Sequence, residues 1–260
     1  MFAVTLLSLS TSAEVEAGAL ASELGLTPYE TGQLVRGALP SVVLRTADGA
    51  KAEALAASMR GRGQGALACD LTQVVASEAM HHVRGFKLEA DALVSENQNG
   101  TSERLPWSEV RCAIKAVHHV NAQSLDVSHE RKFDLTRAVI SQGLVMTKAS
   151  TKEKATAAAV REPVLYLFRR GGLPWLLSES QGRYGALGPL VRPTRAENFE
   201  TLLRLVRERI ASVPWDERLV SLRPRTEKLS SDFRGHQTNA SSASTVDLFA
   251  HVLAASLAPA

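Results

Sequence analysis

Histidine is the side chain best suited to move a proton or hold a metal near neutral pH, and five of the chain's seven histidines lie in His81-His82, His118-His119 and His129. A metal site needs ligands converging from suitable spacing, with Cys, Asp or Glu alongside. Neighbouring residues of a strand point to opposite faces, so at most one of each pair could join a site; the pattern reads as histidines at strand ends. A Ser–His–Asp reading finds each residue type but no Gly-x-Ser-x-Gly elbow to present the serine, and paired carboxylates occur only as helix-surface charge. The Gly-Arg-Gly-Gln-Gly stretch at 61–65 has the composition of a phosphate cradle. Such a loop follows a strand and opens a helix, whereas this one follows a helical pattern and leads into a strand, as a helix stop does. The expectation is a non-enzymatic protein with no catalytic residue, no cofactor and no metal; the alternative is an enzyme of unrecognised type.

Two basic pairs, Arg131-Lys132 and Arg169-Arg170, could form a lip for an anion or a lipid headgroup; the plainer reading is solvated surface charge. No aromatic residues interleave with them in the way that single-stranded nucleic-acid binding uses, and a net charge of +3 calls for no nucleic-acid partner. Cys69 and Cys112 fall inside apolar runs, as buried free thiols do, which fits a reducing, cytoplasmic compartment. The opening MFAVTLLSLSTSA has no Lys or Arg before its short apolar run and reads as a strand rather than a signal peptide.

The elements that must position these residues fall into two parts. In 1–76 a strand (2–9) leads to a helix (12–24) capped by Thr11 or Ser12 and ended by Gly25. A second helix begins at Thr27-Pro28 and stops at Pro40. A short strand (42–45), a third helix capped by Asp48 and a last strand (66–71) follow. The class is α+β, with order β-α-α-β-α-β and helices on one face of a sheet. Leu24-Gly25-Leu26 opening the second helix, Leu34-Val35 within it, Pro40 after it and Ala52-Glu53-Ala54-Leu55 in the third resemble the C-terminal domain of the bacterial ribosomal stalk protein, whose fold is related to that of the Clp-protease adaptor. The resemblance covers about a quarter of the chain. It implies a small domain whose exposed helix pair grips a protein partner. The basic residues with which the stalk family recruits translation GTPases are replaced here by Glu14 and Glu16, so the resemblance implies the fold and not the stalk function.

In 80–215, Phe86, Leu88, Ala90, Ala92 and Val94 alternate with polar residues as one half-buried strand. The turn 97–101 contains Asn-Gly, and a second strand runs from Val110 to about His119. Weaker strands are expected at 133–140 and 145–148, with a helix or loop at 150–160. A strong strand follows at 164–169, then strands at 175–178 and 184–187. A long amphipathic helix at 194–213 has a stripe of Phe199, Leu202, Leu203, Val206, Ile210 and Val213, and Thr194 and Glu197 form its capping box. Antiparallel strands closed by such a helix, with Leu105-Pro106-Trp107-Ser108-Glu109-Val110 as the turn into a strand, resemble a pleckstrin-homology-like domain. That implies a bent barrel plugged by its last helix, binding peptides, proteins or lipid headgroups.

The tail opens with a polar stretch at 223–244 that reads as a flexible linker. It ends in a short helix, 245–258, with Val246, Phe249, Ala250, Leu253 and Leu257 in a stripe and Asp247 in its first turn. This helix could dock back on its own chain or be offered to another protein's groove. In the second case Val246, Phe249, Leu253 and Leu257 are the partner-binding residues. Together these readings describe a cytosolic bacterial adaptor or regulatory protein with two separate cores and a third contact in its tail.

Overall fold

The computed structural model describes residues 1–96, 102–121, 159–222 and 242–257. The first seventy residues have the expected order. Strand β1 (Phe2–Ser8), helices α1 (Ala13–Leu24) and α2 (Pro28–Val35), strand β2 (Ser41–Thr46), helix α3 (Gly49–Gly61) and strand β3 (Gly65–Asp70) form an antiparallel sheet of order β2-β1-β3. Local chemistry sets the helix ends. Ser12, Thr27 and Asp48 cap α1, α2 and α3, and Gly25 closes α1 at φ 67, a left-handed conformation costly for any residue with a Cβ. Val4 and Leu6 of β1 pack against Ala17, Leu20, Val35, Leu55 and Met59 of the helices.

The later part is built on two further sheets. Strands β4 (His81–Val83), β8 (Val110–Asn121), β9 (Ala159–Arg169), β10 (Trp175–Ser178) and β11 (Trp215–Leu219) form one of order β11-β8-β9-β10-β4. Strands β5 (Gly85–Leu88), β6 (Ala92–Glu96) and β7 (Ser102–Pro106) form a smaller antiparallel one. Helix α4 (Arg195–Arg209) carries the expected capping box and buries Phe199, Leu202, Leu203 and Val206 against Ala113, Leu165, Leu167, Trp175 and the small sheet.

Several expectations are corrected. Among the described residues there is no closed barrel; the strands divide into a five-stranded and a three-stranded sheet. The single strand expected across 86–94 is a hairpin, because Glu89 N–H donates to the Ala92 carbonyl and turns the chain between β5 and β6. Residues 184–187 lie in a 3-10 turn, Tyr184–Leu190, rather than a strand. The second part does not end at residue 215, since β11 (Trp215–Leu219) adds to the edge of β8 in parallel. The strands expected at 133–140 and 145–148, the Asn-Gly turn at 97–101, residues 150–158 and the linker at 223–241 lie outside the described residues.

The largest correction concerns the core. Helix α5 (Ser242–Ser256) lies between the first sheet and the five-stranded sheet. One side of the slot is Ala3, Leu7 and Val42, from the face of the first sheet that α1–α3 leave uncovered; the other is Cys112, Ile114, Ala116, Val164, Tyr166 and Phe168. The helix is apolar around most of its circumference: Leu248 and Val252, outside the expected stripe, are buried beside Val246, Phe249, Ala250 and Leu253. A helix of that kind belongs inside a protein. The molecule is therefore layered as α1–α3, first sheet, α5, five-stranded sheet, then α4 with the small sheet, and its two parts share a core instead of owning one each.

Candidate functional site

The joint between the two parts is the segment joining β3 to β4, with short 3-10 turns at Leu71–Gln73 and Ser77–Ala79. Its backbone is gripped by α5. Asp247 and His251 are one helical turn apart and so share a face of the helix. Asp247 Oδ2 accepts from Ser77 N–H at 2.8 Å, and His251 Nε2 accepts from Val75 N–H at 3.2 Å. The α5 side chains thus meet two backbone donors that the connecting segment would otherwise bury without partners.

Asp247 is the centre of the cluster and is 1% exposed. Besides Ser77 N–H it takes the Ser77 hydroxyl, at 2.8 Å to Oδ1 and 2.7 Å to Oδ2, and the Tyr166 hydroxyl at 2.6 Å to Oδ1. With the Tyr166 proton directed to Asp247, the phenol oxygen is left to accept from His118 Nε2 at 2.5 Å. That ring nitrogen stands 3.9 Å from Asp247 Oδ1. His82 Nε2 donates to the Ser77 carbonyl at 2.9 Å. His251 Nδ1–H donates to the Asp247 carbonyl at 2.9 Å, which fixes its tautomer and leaves Nε2 as the acceptor for Val75.

Burial governs the electrostatics. It pushes the Tyr166 phenol well above its ordinary value, and the Asp247 carboxylate adds to this. It holds His118 below the ordinary histidine value, against the pull of Asp247, Glu162 and Glu78. It does the same to His251, against the Asp247 carbonyl and carboxylate and with the help of Arg111.

The residues resemble a serine–acid–histidine set, but their connections differ. A nucleophilic serine gives its proton to a base. Here the Ser77 hydroxyl is bonded to the acid, the nearest imidazole takes the Ser77 carbonyl, and His118 is bonded to tyrosine. Ser77, His118, Tyr166 and Asp247 are all closed off from solvent. The arrangement can hold α5, β8, β9 and the joint in one register, which is the best-attested use of a buried polar cluster.

The structure places Val246, Phe249 and Leu253 at 3, 4 and 0% exposure and packs Leu257 against the same core. Of the two dockings open to the tail helix, the structure shows the one on its own chain; the four residues are core, not an offered surface. Arg169 is tied to Glu103 at 3.3 Å and Glu109 at 3.1 Å, leaving Arg170 as the exposed member of that pair. Arg131 and Lys132 lie outside the described residues. Glu16 is buried and bound by Arg62 at 2.7 Å, so it is no surface charge of α1. Among the described residues no group of three His, Cys, Asp or Glu is placed to hold a metal, and no helix is long and apolar enough to cross a membrane. Sequence reasoning missed Ser77, Tyr166 and His251. The available signal was two polar residues at i and i+4, Asp247 and His251, inside the otherwise apolar run Val246–Ala255.

Comparison with family models, with curated proteins and with solved structures finds no match to this chain.

Proposed function

We propose that this chain is a non-enzymatic, cytosolic adaptor or regulatory protein of bacterial type, whose contact with a protein partner is governed by the seating of α5. The observation that carries this reading is the position of the helix. It is joined to Leu222 through residues 223–241, and it fills a slot between two sheets. With α5 withdrawn, the slot presents Ala3, Leu7 and Val42 opposite Ile114, Tyr166 and Phe168, an apolar trough that would receive a helix apolar on both sides. A partner helix and α5 would compete for it. The closed bonding of the Asp247 cluster supports a holding role for these groups rather than a catalytic one.

Site-specific photo-crosslinking in cells tests the reading, with the probe at Leu7 in the full chain and in a Leu253→Asp variant that unseats α5. The expected result is a discrete adduct that grows in the variant and is displaced by a peptide of residues 242–260. Equal adducts in both forms, indifferent to the peptide, would count against it.

A further inference from the structure

We infer that α5 is held by a proton-sensitive catch, in which uptake of a proton by His251 releases the helix from the joint at Val75–Ser77. The inference stands on the seat of α5 alone, whether or not a partner takes its place. The geometry is one of donors and acceptors. His251 Nδ1 already spends its hydrogen on the Asp247 carbonyl, so Nε2 must be bare to accept from Val75 N–H at 3.2 Å. A second ring proton would lie on Nε2 and face the Val75 N–H, donor against donor. The amide hydrogen is fixed by the backbone and has no rotamer by which to turn away.

The surroundings give a charged ring little help. His251 stands edge-on to Phe168, with ring centroids 5.0 Å apart. Among the described residues the charged groups that act on it are Asp247 of its own helix and Arg111 of β8, and Arg111 opposes a second positive charge. Asp247 favours that charge, but its carboxylate is already occupied by Ser77 and Tyr166. His251 is half-buried, and ring tautomer and this partial burial point the same way: the docked ring is neutral, held below the ordinary histidine value, and the released ring binds a proton more readily.

Docking has its full strength above the free histidine value of about 6.5. It weakens as pH falls through the docked-state value, and release gains up to about tenfold per pH unit for the one proton bound between the two. His118, also held low by burial against the charges of Asp247, Glu162 and Glu78, adds a dependence of its own that a change at His251 leaves in place.

The test is amide hydrogen exchange of the full chain from pH 8 to pH 5, corrected for the intrinsic pH dependence of exchange, in wild type and in His251→Gln. Glutamine offers an amide oxygen near the Nε2 position and cannot titrate there. The expected result is a loss of protection at 75–77 and 246–256 as pH falls, with His251→Gln losing up to about tenfold less per pH unit. Identical pH dependence in the two proteins would overturn the inference, as would wild-type protection that stays constant to pH 5. Should the variant fail to fold, nitrogen-15 spectra of the wild-type imidazole decide the matter. A neutral Nδ1–H ring that gains its proton together with loss of protection supports the catch, and a ring already protonated while α5 stays docked refutes it.

Discussion

Replacing Asp247 with alanine isolates what the buried cluster contributes to the fold. The carboxylate accepts from Ser77 N–H, from the Ser77 hydroxyl and from the Tyr166 hydroxyl, at 2.6 to 2.8 Å. Each buried donor left unsatisfied costs about 1–3 kcal/mol, and bonds to a charged acceptor stand at the upper end. Ser77 N–H has no second partner among the described residues. The Ser77 hydroxyl can rotate, and Tyr166 can give its proton to His118 if that ring changes tautomer, so those two costs are partly recovered. Removing a buried charge also relieves its desolvation, which is several kcal/mol per ion when unpaired and less here, where the donors stand in for water. The balance is a loss of about 2–4 kcal/mol, a large fraction of the ~5–15 kcal/mol that holds a typical domain together. Urea unfolding at pH 7.5, followed by the fluorescence of Trp107, Trp175 and Trp215, measures it. Tyr166→Phe completes a double-mutant cycle, in which the phenol matters less once Asp247 is gone. A change within about 0.5 kcal/mol for Asp247→Ala, or strict additivity with Tyr166→Phe, would refute the account of the cluster.

Further outcomes follow from other sites. Arg62→Ala strands Glu16, which is 1% exposed and bound by two guanidinium nitrogens, and should lower stability by about 3 kcal/mol in chemical denaturation; lysine at the same position should recover only part, since it cannot span Glu16 and Glu23 together. Thr194→Ala removes the N-cap of α4 and should cost about 1 kcal/mol, read as a lower urea midpoint with an unchanged slope. The Cys112 thiol is buried and pushed up to about 11, so a thiol reagent at pH 8 should label the native protein at the half-buried Cys69 first and at Cys112 only as fast as the protein unfolds.

Much of the local structure was legible because local chemistry set it. Ser12, Thr27, Asp48 and Thr194 all cap the helices that follow them, and Phe199, Leu203 and Val206 face a sheet as their spacing requires. The split of 86–94 into a hairpin was hidden, because the alternation of Phe86, Leu88, Ala92 and Val94 continues across the turn at Glu89–Asp91. The fate of the tail was hidden for a different reason. A stripe of Val246, Phe249 and Leu253 says that a helix is covered, not by what, and the burial of Leu248 and Val252 depends on a second sheet far away in sequence. One clue lay in β1 and β9. FAVTLL and VLYLF are apolar on both alternating faces, which marks strands covered on both sides. The covering element on the second side is α5. The catch was least visible of all, because Val75 and Ser77 contribute backbone groups that any residue but proline would supply.

Helix α5 welds the two parts into one core, and differential scanning calorimetry of the full chain with and without Phe249→Ala puts this to the test. Phe249 is 4% exposed in the shared layer, and its truncation should cost about 3–5 kcal/mol. One transition is expected in the wild type, displaced as a whole in the variant. Two transitions, one of them untouched by the substitution, would contradict it.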